Sequence, residues 1–500
     1  MKHPTTLVAT LIALALALSW SHASAQTVTL AMGAQPETLD PHKTAATSSF
    51  RVTKSIYDGL VEPDREGEIV GGLAEAWDIS EDGLTWTFTL REGVSFHDGS
   101  LLGSEDVVAT LNRVMAEETA SPRAGEFEAI ASVEAAGPHT VVLELSEPSP
   151  ALLATLASGW GAILPADKVA AGHDFANDPV GTGPFRFDIW VRDSFVRFHR
   201  FDDYYRGASE LDTVTIRFIE DSAVQLQGLI AGELDIIDTV SPADFDRIRQ
   251  EGELELVQEP SGTVLVASLN QRRPHLDDPR VRRALNYAID KEVVLEVAYG
   301  GGELIGTYME AGSPWYPDDV EPFSYDPERA RALLDEAGVE EGWTVDLALP
   351  AAFETHVEAG QIIQSMLRDV GVDADIRMVE WGVWLSDVYG GDRDFDMTVI
   401  GHTGRLDPVG RLGSFDAAER NYVGFEDAQA TEMLRVAARS PDWDERRQLY
   451  ADVLRHMHDE PPFVYLGTAL FTYAHHQSVD GFWITPLLDT FDFRDVTVAD

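Results

Sequence analysis

The chain has 500 residues, too many for one hydrophobic core, so at least two domains are expected. Hydrophobic residues make up 44% of the chain and aromatic residues 9%, which supports packed cores and excludes global disorder. The 37 basic residues are outnumbered by 86 acidic ones, and the formal net charge is −49. A surface this negative repels phosphate backbones and anionic lipid, so nucleic acid and membrane surfaces are excluded as partners.

The acidic balance also predicts the medium in which the protein works. Like charges on one surface repel each other, and dissolved salt screens that repulsion. We therefore predict a halophilic protein that is exposed to high external salt. An ordinary acidic secreted protein is the alternative.

Residues 1–25 are predicted to be a cleavable signal peptide. Lys2 supplies a positive charge, Leu7–Leu18 form an apolar run, and Ala23–Ala25 supply the small residues that a signal peptidase requires. The apolar run is too short to span a bilayer, so stable membrane insertion is not expected. The chain has no cysteine, which excludes disulfides and a lipid-modified N-terminal cysteine. We expect an exported, unanchored protein in the periplasm of a Gram-negative cell.

Strand and helix patterns alternate along the chain. Leu84–Leu90 alternates apolar residues with threonines, which is typical of a half-buried strand. Thr263–Asn270 is almost wholly apolar, which is typical of a strand covered on both faces. Helices are predicted to begin at Ser104, as N-cap, and at Asp326, with Pro327 in the first turn.

The clearest strand–helix–strand unit begins at Trp343. Apolar residues alternate up to Leu349, a helical pattern follows and ends at Gly371, and Val372–Val379 returns as a strand. A further strand is predicted at Phe395–Ile400. This pattern predicts an α/β fold with parallel strands.

Five blocks of the sequence resemble the large solute-binding proteins that serve dipeptide, oligopeptide and nickel ABC transporters. In chain order they are Asp82–Gly99 (DGLTWTFTLREGVSFHDG), Asp178–Phe185, Ala231–Asp238, Asp277–Lys291 and Tyr325–Leu334. The blocks follow the family's order and cover nearly the whole chain after residue 25. Together they are highly specific, although each alone is weak.

The resemblance implies a two-lobed, periplasmic-binding-protein-like (Venus flytrap) fold. Two crossing segments would join the lobes, which close on a ligand between them. The first lobe is predicted to take residues 26–265 plus 468–500, and the second lobe residues 266–467. The resemblance also places the block Asp82–Gly99 in the scaffold of the first lobe, away from the cleft.

The loop after Ile400 is the predicted ligand-reading segment, because open α/β sheets bind ligands beyond the carboxyl ends of their strands. Its distinctive polar residues are His402, Thr403, Arg405 and Asp407. We predict that Arg405 binds a carboxylate or another anionic group through a bidentate pair. The alternative is that Arg405 pairs with Asp407 and only orders the loop.

Two departures from the family pattern bear on ligand class. Peptide-binding relatives carry an acidic residue four positions before a proline of this loop, where it takes a peptide's amino group, and Gly404 stands at that position. They also place an arginine after the strand that ends here at Leu349, and Pro350–Glu354 contains none. Both departures argue against plain free peptides and favour modified peptides, opines or other amide-bearing acids.

Further candidate ligand contacts are aromatic residues near the predicted cleft, an amide at the end of a crossing strand, and an Asn–Tyr pair that resembles one in the family. They are Trp160, Trp381, Asn270, Asn421 and Tyr422. His402 alone, without a second histidine or cysteine at ligand spacing nearby, does not make a metal site. No metal and no cofactor are expected.

The leading hypothesis is the periplasmic solute-binding component of an ABC importer. It would capture a peptide or peptide-like solute and deliver it to an inner-membrane permease with its ATPase subunits, as a monomer and without enzyme activity. One alternative is a secreted hydrolase acting through paired carboxylates, although no Gly-x-Ser-x-Gly elbow, His-Glu-x-x-His motif or cysteine nucleophile is present. The other is a periplasmic, chaperone-like peptide holdase.

Overall fold

The structure is a computed structural model that describes residues 26–485, 487 and 490–499. The predicted signal peptide, residues 1–25, lies outside the described residues. Within the described part of the chain, no helix has the length and apolarity that crossing a bilayer requires.

The strands are numbered in chain order. Those of the first half are β1 (Thr27–Met32), β2 (Val61–Pro63), β3 (Ile69–Gly71), β4 (Ala74–Ile79), β5 (Thr85–Leu90), β6 (Ile130–Gly137), β7 (Thr140–Leu145), β8 (Phe185–Val191), β9 (Phe195–Arg200), β10 (Thr213–Phe218) and β11 (Ile236–Ile237). The others are β12 (Leu254–Leu269), β13 (Trp343–Pro350), β14 (Val372–Val379), β15 (Met397–His402), β16 (Phe463–His476), β17 (Val479–Asp480), β18 (Trp483–Ile484), β19 (Phe491–Asp492) and β20 (Thr497–Val498).

The α-helices are numbered in the same way. They are α1 (Thr47–Thr53), α2 (Ser104–Met115), α3 (Leu152–Leu156), α4 (Ala166–Ala170), α5 (Ser222–Ile230), α6 (Phe245–Gln250), α7 (Pro279–Ala288), α8 (Lys291–Val294), α9 (Pro327–Ala337), α10 (Glu354–Asp369), α11 (Trp381–Val383), α12 (Val409–Leu412), α13 (Ala428–Ala437) and α14 (Trp443–Asp459). Short 3-10 segments lie at Pro41–Lys43, Glu117–Thr119, Ala124–Phe127, Gly159–Gly161, Pro242–Asp244 and Gly413–Asp416, and π-helical segments at Leu295–Tyr299 and Trp384–Tyr389.

A ten-stranded mixed sheet runs through the molecule in the order β14-β13-β15-β12-β16-β11-β1-β10-β9-β8. Strand β13 pairs in parallel with β14 and β15, which confirms the predicted parallel unit. Strand β15 pairs antiparallel with β12, so the sheet as a whole is mixed rather than parallel. A separate four-stranded antiparallel sheet has the order β4-β5-β7-β6.

Strands β12 and β16 lie at the centre of the large sheet and belong to both of its halves. Their antiparallel pairing loses its regular register between Pro260 and Val264. Proline has no amide hydrogen to donate to the ladder, so it favours such an interruption. The predicted lobe boundaries lie near this break and stay a prediction. We keep the names first lobe for residues 26–265 plus 468–500 and second lobe for residues 266–467.

Separate hydrophobic clusters fill the two halves of the large sheet. One cluster packs β13 and β15 against α10, with Leu347, Val399 and Ile363 fully buried. Another packs β1 against β10 and the C-terminal strands, with Leu30 and Val214 fully buried. Because each half buries its own apolar surface, the β12–β16 pair can carry bending between them with little loss of core packing.

The block Asp82–Gly99 is scaffold in the structure. Trp86 and Phe88 of β5 are buried under the four-stranded sheet, which confirms the predicted half-buried strand. The helix predicted from Ser104 does begin there, but the N-cap assignment is wrong by one residue. Gly103 is the N-cap, since its amide donates to Asp106 at 2.8 Å.

Candidate ligand-binding cleft

Two neighbouring cavities lie between the lobes and share Arg123 in their walls. The outer cleft has a volume of about 640 Å³. The inner cavity has a volume of about 70 Å³. Its walls come from the first lobe, from the loop after β15 and from the C-terminal stretch: Ala45, Thr47, Phe50, Arg123, Ser158, Gly159, Trp160, Thr403, Gly404, Arg405, Leu487 and Thr490.

Arg405 forms the second-lobe wall of the inner cavity. Its Nη1 donates to Thr403 Oγ1 and to the Gly404 carbonyl, both at 2.9 Å. Its Nε and Nη2 donate to no acceptor among the described residues. Burial, followed by the charges of Arg123 and Arg411, lowers the pKa of the Arg405 guanidinium. A partly buried cation with unused donors therefore faces the cavity, which is the arrangement that binds a carboxylate.

Asp407 anchors the loop within the second lobe. Its two carboxylate oxygens accept from Arg446 at 2.6 and 2.7 Å, and one also accepts from the Val409 amide at 2.9 Å. The alternative in which Arg405 pairs with Asp407 is therefore wrong, because Arg446 occupies that carboxylate. A bidentate pair between groups this buried fixes the loop's course.

Arg411 supplies the second anchor. Its Nη2 donates to Glu310 at 3.0 Å, and it also donates to the Gly262 carbonyl at 3.0 Å and to the Thr403 carbonyl at 3.3 Å. These bonds tie the loop to the crossing segment that follows Pro260. The loop is thus anchored to the second lobe by Arg446 and Arg411, while Arg405 bonds only within the loop, to Thr403 and Gly404.

Gly404 occupies a position that has no room for a side chain. A Cβ built on it would lie 2.6 Å from the Leu487 carbonyl oxygen and 3.0 Å from Gly262 Cα. Both obstacles are backbone atoms, which cannot swing away. The acidic residue that the sequence lacks at this position is therefore excluded sterically by the surrounding backbone.

Trp160 forms the first-lobe wall and is fixed on two sides. Its Nε1 donates to the Thr44 carbonyl at 3.0 Å, and Phe50 packs edge-on against it with ring centroids 5.4 Å apart. Gly159 permits this packing, since a Cβ there would lie 2.1 Å from the Phe50 ring. The tryptophan therefore presents a rigid face to the cleft.

Arg123 stacks on that face, with its guanidinium carbon 5.0 Å from the Trp160 ring centroid. Its Nη1 lies 3.4 Å from Glu126, which is a long contact between partly exposed groups. Leu406 of the second lobe packs against the hydrophobic cluster of the four-stranded sheet. The loop that carries Arg405 therefore reaches the first lobe beside Arg123.

His402 and Tyr422 bond to each other rather than to the cavity. His402 Nε2 lies 2.8 Å from the Tyr422 hydroxyl, which lies 2.5 Å from Ser268 Oγ. Burial lowers the pKa of His402 to about 3, so its imidazole is neutral at physiological pH. Among the described residues, no group of three or more histidine, cysteine, aspartate or glutamate side chains is placed to hold a metal ion.

The remaining predicted contacts are engaged within the second lobe. Asn270 donates to the Arg393 and Phe395 carbonyls, at 3.0 and 2.9 Å. Asn421 donates to two backbone carbonyls, both at 3.0 Å, and Trp381 stacks on Trp384 with centroids 5.1 Å apart. None of these side chains lines either cavity. Their role as ligand contacts stays a prediction.

The structure thus brings Arg405, Thr403 and Trp160 together from the predicted set. Sequence reasoning missed Arg123 and Phe50. Nothing in the sequence indicated that Phe50 lines a cavity, since an aromatic residue in a helix is usually part of the hydrophobic core. Arg123 carried one: it is a basic residue in a Ser-Pro-Arg-Ala-Gly turn of a very acidic chain, where an isolated cation is unusual.

Comparison with known proteins gives a consistent result. The family model for bacterial extracellular solute-binding proteins, family 5 Middle, matches residues 68–422. The glutathione-binding protein GsiB of Salmonella typhimurium is 32% identical over 485 residues, which are 94% of each chain.

Two solved structures extend the likeness to the fold. AgaA of A. tumefaciens R10, in complex with agropinic acid, is 29% identical with a TM-score of 0.78, over 95% of this chain and 99% of that one. DppA of Helicobacter pylori, in complex with the peptide STSA, is 26% identical with a TM-score of 0.80, over 95% and 98%. The structural neighbours are two-lobed, which confirms the predicted fold.

Proposed function

The chain belongs to family 5 of the bacterial extracellular solute-binding proteins, and we propose that it captures a carboxylate-bearing, peptide-like solute between its lobes, with a carboxylate in the inner cavity at Arg405, the principal contact, and the rest of the solute in the outer cleft. Members of this family bind a solute for import by an ABC transporter. The family assignment favours this function over the hydrolase and holdase alternatives.

One observation carries the choice of Arg405. Two other arginines anchor the loop that carries Arg405. The Nε and Nη2 atoms of Arg405 have no acceptor among the described residues, and its side chain lines a cavity walled by both lobes. A carboxylate placed there would accept charge-assisted bonds from the fork, which are about twice as strong as neutral ones.

Binding would couple to lobe closure. A solute that contacts both walls of the cavity stabilises the closed arrangement, because each lobe alone offers only half of the contacts. A micromolar dissociation constant corresponds to about 8 kcal/mol, part of which opposes the entropy of ordering the lobes.

The relatives indicate the solute class. Their names or titles state that they bind glutathione, agropinic acid or the peptide STSA, and each of these compounds bears a carboxyl group. Gly404 leaves no room for an acid that would take an amino group, so we place modified or γ-linked peptides and opine-like acids ahead of plain peptides.

We further propose that residues 1–25 export the protein to the periplasm, where it works as a monomer with an inner-membrane permease and its ATPase subunits. The excess of 86 acidic over 37 basic residues supports a halophilic protein. Thermal stability should rise between 0.1 M and molar salt, and a flat profile contradicts this part of the proposal.

Native mass spectrometry of protein purified without denaturation weighs any co-purified solute. Calorimetric titration with that solute should then give at least tenfold weaker binding to Arg405→Ala, with the melting temperature of the ligand-free protein nearly unchanged. Unaltered affinity removes Arg405 from the site. Prolonged incubation should leave the mass of the solute unchanged, since a binding protein does not turn it over.

A further inference from the structure

We propose that Arg123 and Arg405 form a two-arginine clamp, one cation from each lobe, that selects solutes bearing two carboxylates. The inference rests on the proposed function and narrows its solute class. Both residues line the inner cavity, and Arg123 also lines the outer cleft. A solute that bridges the two cavities can therefore contact both arginines.

Arg123 is held ready for an anion. Its guanidinium lies over Trp160, 5.0 Å from the ring centroid, and Trp160 is fixed by the Thr44 carbonyl at 3.0 Å. Stacking uses the flat face of the guanidinium and leaves the donors along its edge available. A carboxylate in the cavity can therefore bind that edge without reorganising the first lobe.

The charges around the cavity are not balanced by protein groups. Arg411 is paired with the buried Glu310 at 3.0 Å, so its charge is compensated. Arg123 has only Glu126 at 3.4 Å, and Arg405 has no ion pair among the described residues. Two cations thus share one partly exposed carboxylate, in a chain whose net charge is −49.

The two cations oppose each other. The charge of Arg123 contributes to the lowered pKa of Arg405, which means that each guanidinium raises the free energy of the other. Closing the lobes brings these like charges together, and an anion between them offsets the repulsion. One carboxylate compensates one arginine, while two carboxylates compensate both and add a second bidentate pair. Closure therefore favours solutes that bear two carboxylates.

Calorimetric titrations with glutathione, glutathione glycine ethyl ester and trialanine test the clamp. Glutathione carries two carboxylates, whereas the ester and trialanine carry one each. The wild-type protein should bind glutathione at least tenfold more tightly than either of the others. Arg123→Gln should lose at least tenfold in glutathione affinity, and Arg123→Lys should recover part of that loss.

The ester separates the two subsites. The ester lacks the free glycine carboxylate. If one arginine binds that carboxylate in glutathione, the glutamine variant of this arginine should bind glutathione and the ester with equal affinity. The glutamine variant of the other arginine should still bind glutathione more tightly than the ester. Arg192→Gln is the matched control, because Arg192 stacks on Trp190 at 4.0 Å in the first lobe and lines neither cavity. Its affinities should equal those of the wild type, and all variants should keep the wild-type melting temperature.

Three results would overturn the clamp. Full glutathione affinity in Arg123→Gln, with a loss in Arg405→Gln, removes Arg123 and leaves the proposed function standing. Tighter binding of trialanine than of glutathione removes the preference for two carboxylates and also leaves the proposed function standing. Binding of none of the three probes by the wild-type protein contradicts both the clamp and the proposed solute class.

Discussion

Two pairs of arginines near one loop show how the same side chain serves structure in one place and binding in another. Arg411 and Arg446 are 7% and 1% exposed, and each is paired with a buried carboxylate. Arg123 and Arg405 lie at the interlobe cavity, and of the two only Arg123 has an ion pair among the described residues, a long one to Glu126. The first pair anchors the loop, and the second pair is left with unused donors.

This difference indicates which arginines bind the solute. A buried charge that the protein compensates contributes to shape, because removing its partner leaves an expensive unpaired ion. A charge that the protein leaves uncompensated in a cavity contributes to recognition, because a ligand of opposite charge can pair with it.

The largest effect is expected from an anchor. Asp407→Asn leaves the guanidinium of Arg446 buried without a carboxylate, so the free energy of unfolding should fall by about 3–5 kcal/mol. Urea denaturation measures it. The control is Asp416→Asn. Asp416 pairs at 2.7 Å with Arg420, whose side chain is exposed, so this variant should lose at most about 1 kcal/mol of unfolding free energy. Equal losses for the two variants would abolish the distinction between anchored and exposed pairs.

A smaller effect is expected from acid. Burial holds the pKa of His402 at about 3, below its unfolded value of 6.5, so the unfolded state takes up a proton first. The stability due to the neutral imidazole is therefore complete above pH 6.5 and declines as pH falls from 6.5 towards 3. The decline is about 1.4 kcal/mol per pH unit.

Urea denaturation between pH 7 and pH 4 measures that slope in the wild type and in His402→Asn, which cannot titrate. In the variant, the free energy of unfolding should fall less steeply with falling pH, by the equivalent of about one proton. A wild-type slope in His402→Asn would contradict the burial that holds the pKa of this imidazole down.

The smallest effect is expected at the mouth of the outer cleft. Arg439 of the second lobe lies 3.1 Å from Glu147 of the first lobe, and both side chains are more than half exposed. Exposed pairs are worth about 0–1 kcal/mol, so Arg439→Gln should weaken solute binding by less than about fivefold. Calorimetry at 0.1 M and 1 M salt should show this small loss vanish as salt screens the pair. A tenfold loss of affinity at both salt concentrations would show that Arg439 contacts the solute.

Much of the fold was predictable because local patterns and tertiary packing agree. The alternation from Trp343 to Leu349 and the run Val372–Val379 became β13 and β14, and Asp326 caps its helix through the Arg329 amide at 2.9 Å. The mixed character of the sheet was not predictable, since strand direction at β12 depends on which strand it meets in three dimensions.

The site was predictable in part, for a different reason. Arg405 stood out because it follows a predicted strand in a loop of polar residues. The alternative pairing of Arg405 with Asp407 was wrong, because Asp407 is near in sequence while its actual partner, Arg446, is near only in the folded chain. Arg123 was missed because its neighbourhood to Arg405 exists only when both lobes are folded and facing each other.

A crystal structure of the protein with its co-purified solute, or with glutathione, tests the central claim most directly. We expect a carboxylate of the solute in the inner cavity, at about 2.7–2.9 Å from the free nitrogens of Arg405. A solute bound elsewhere, or bound between the lobes with Arg405 still donating only to Thr403 and Gly404, would contradict the account.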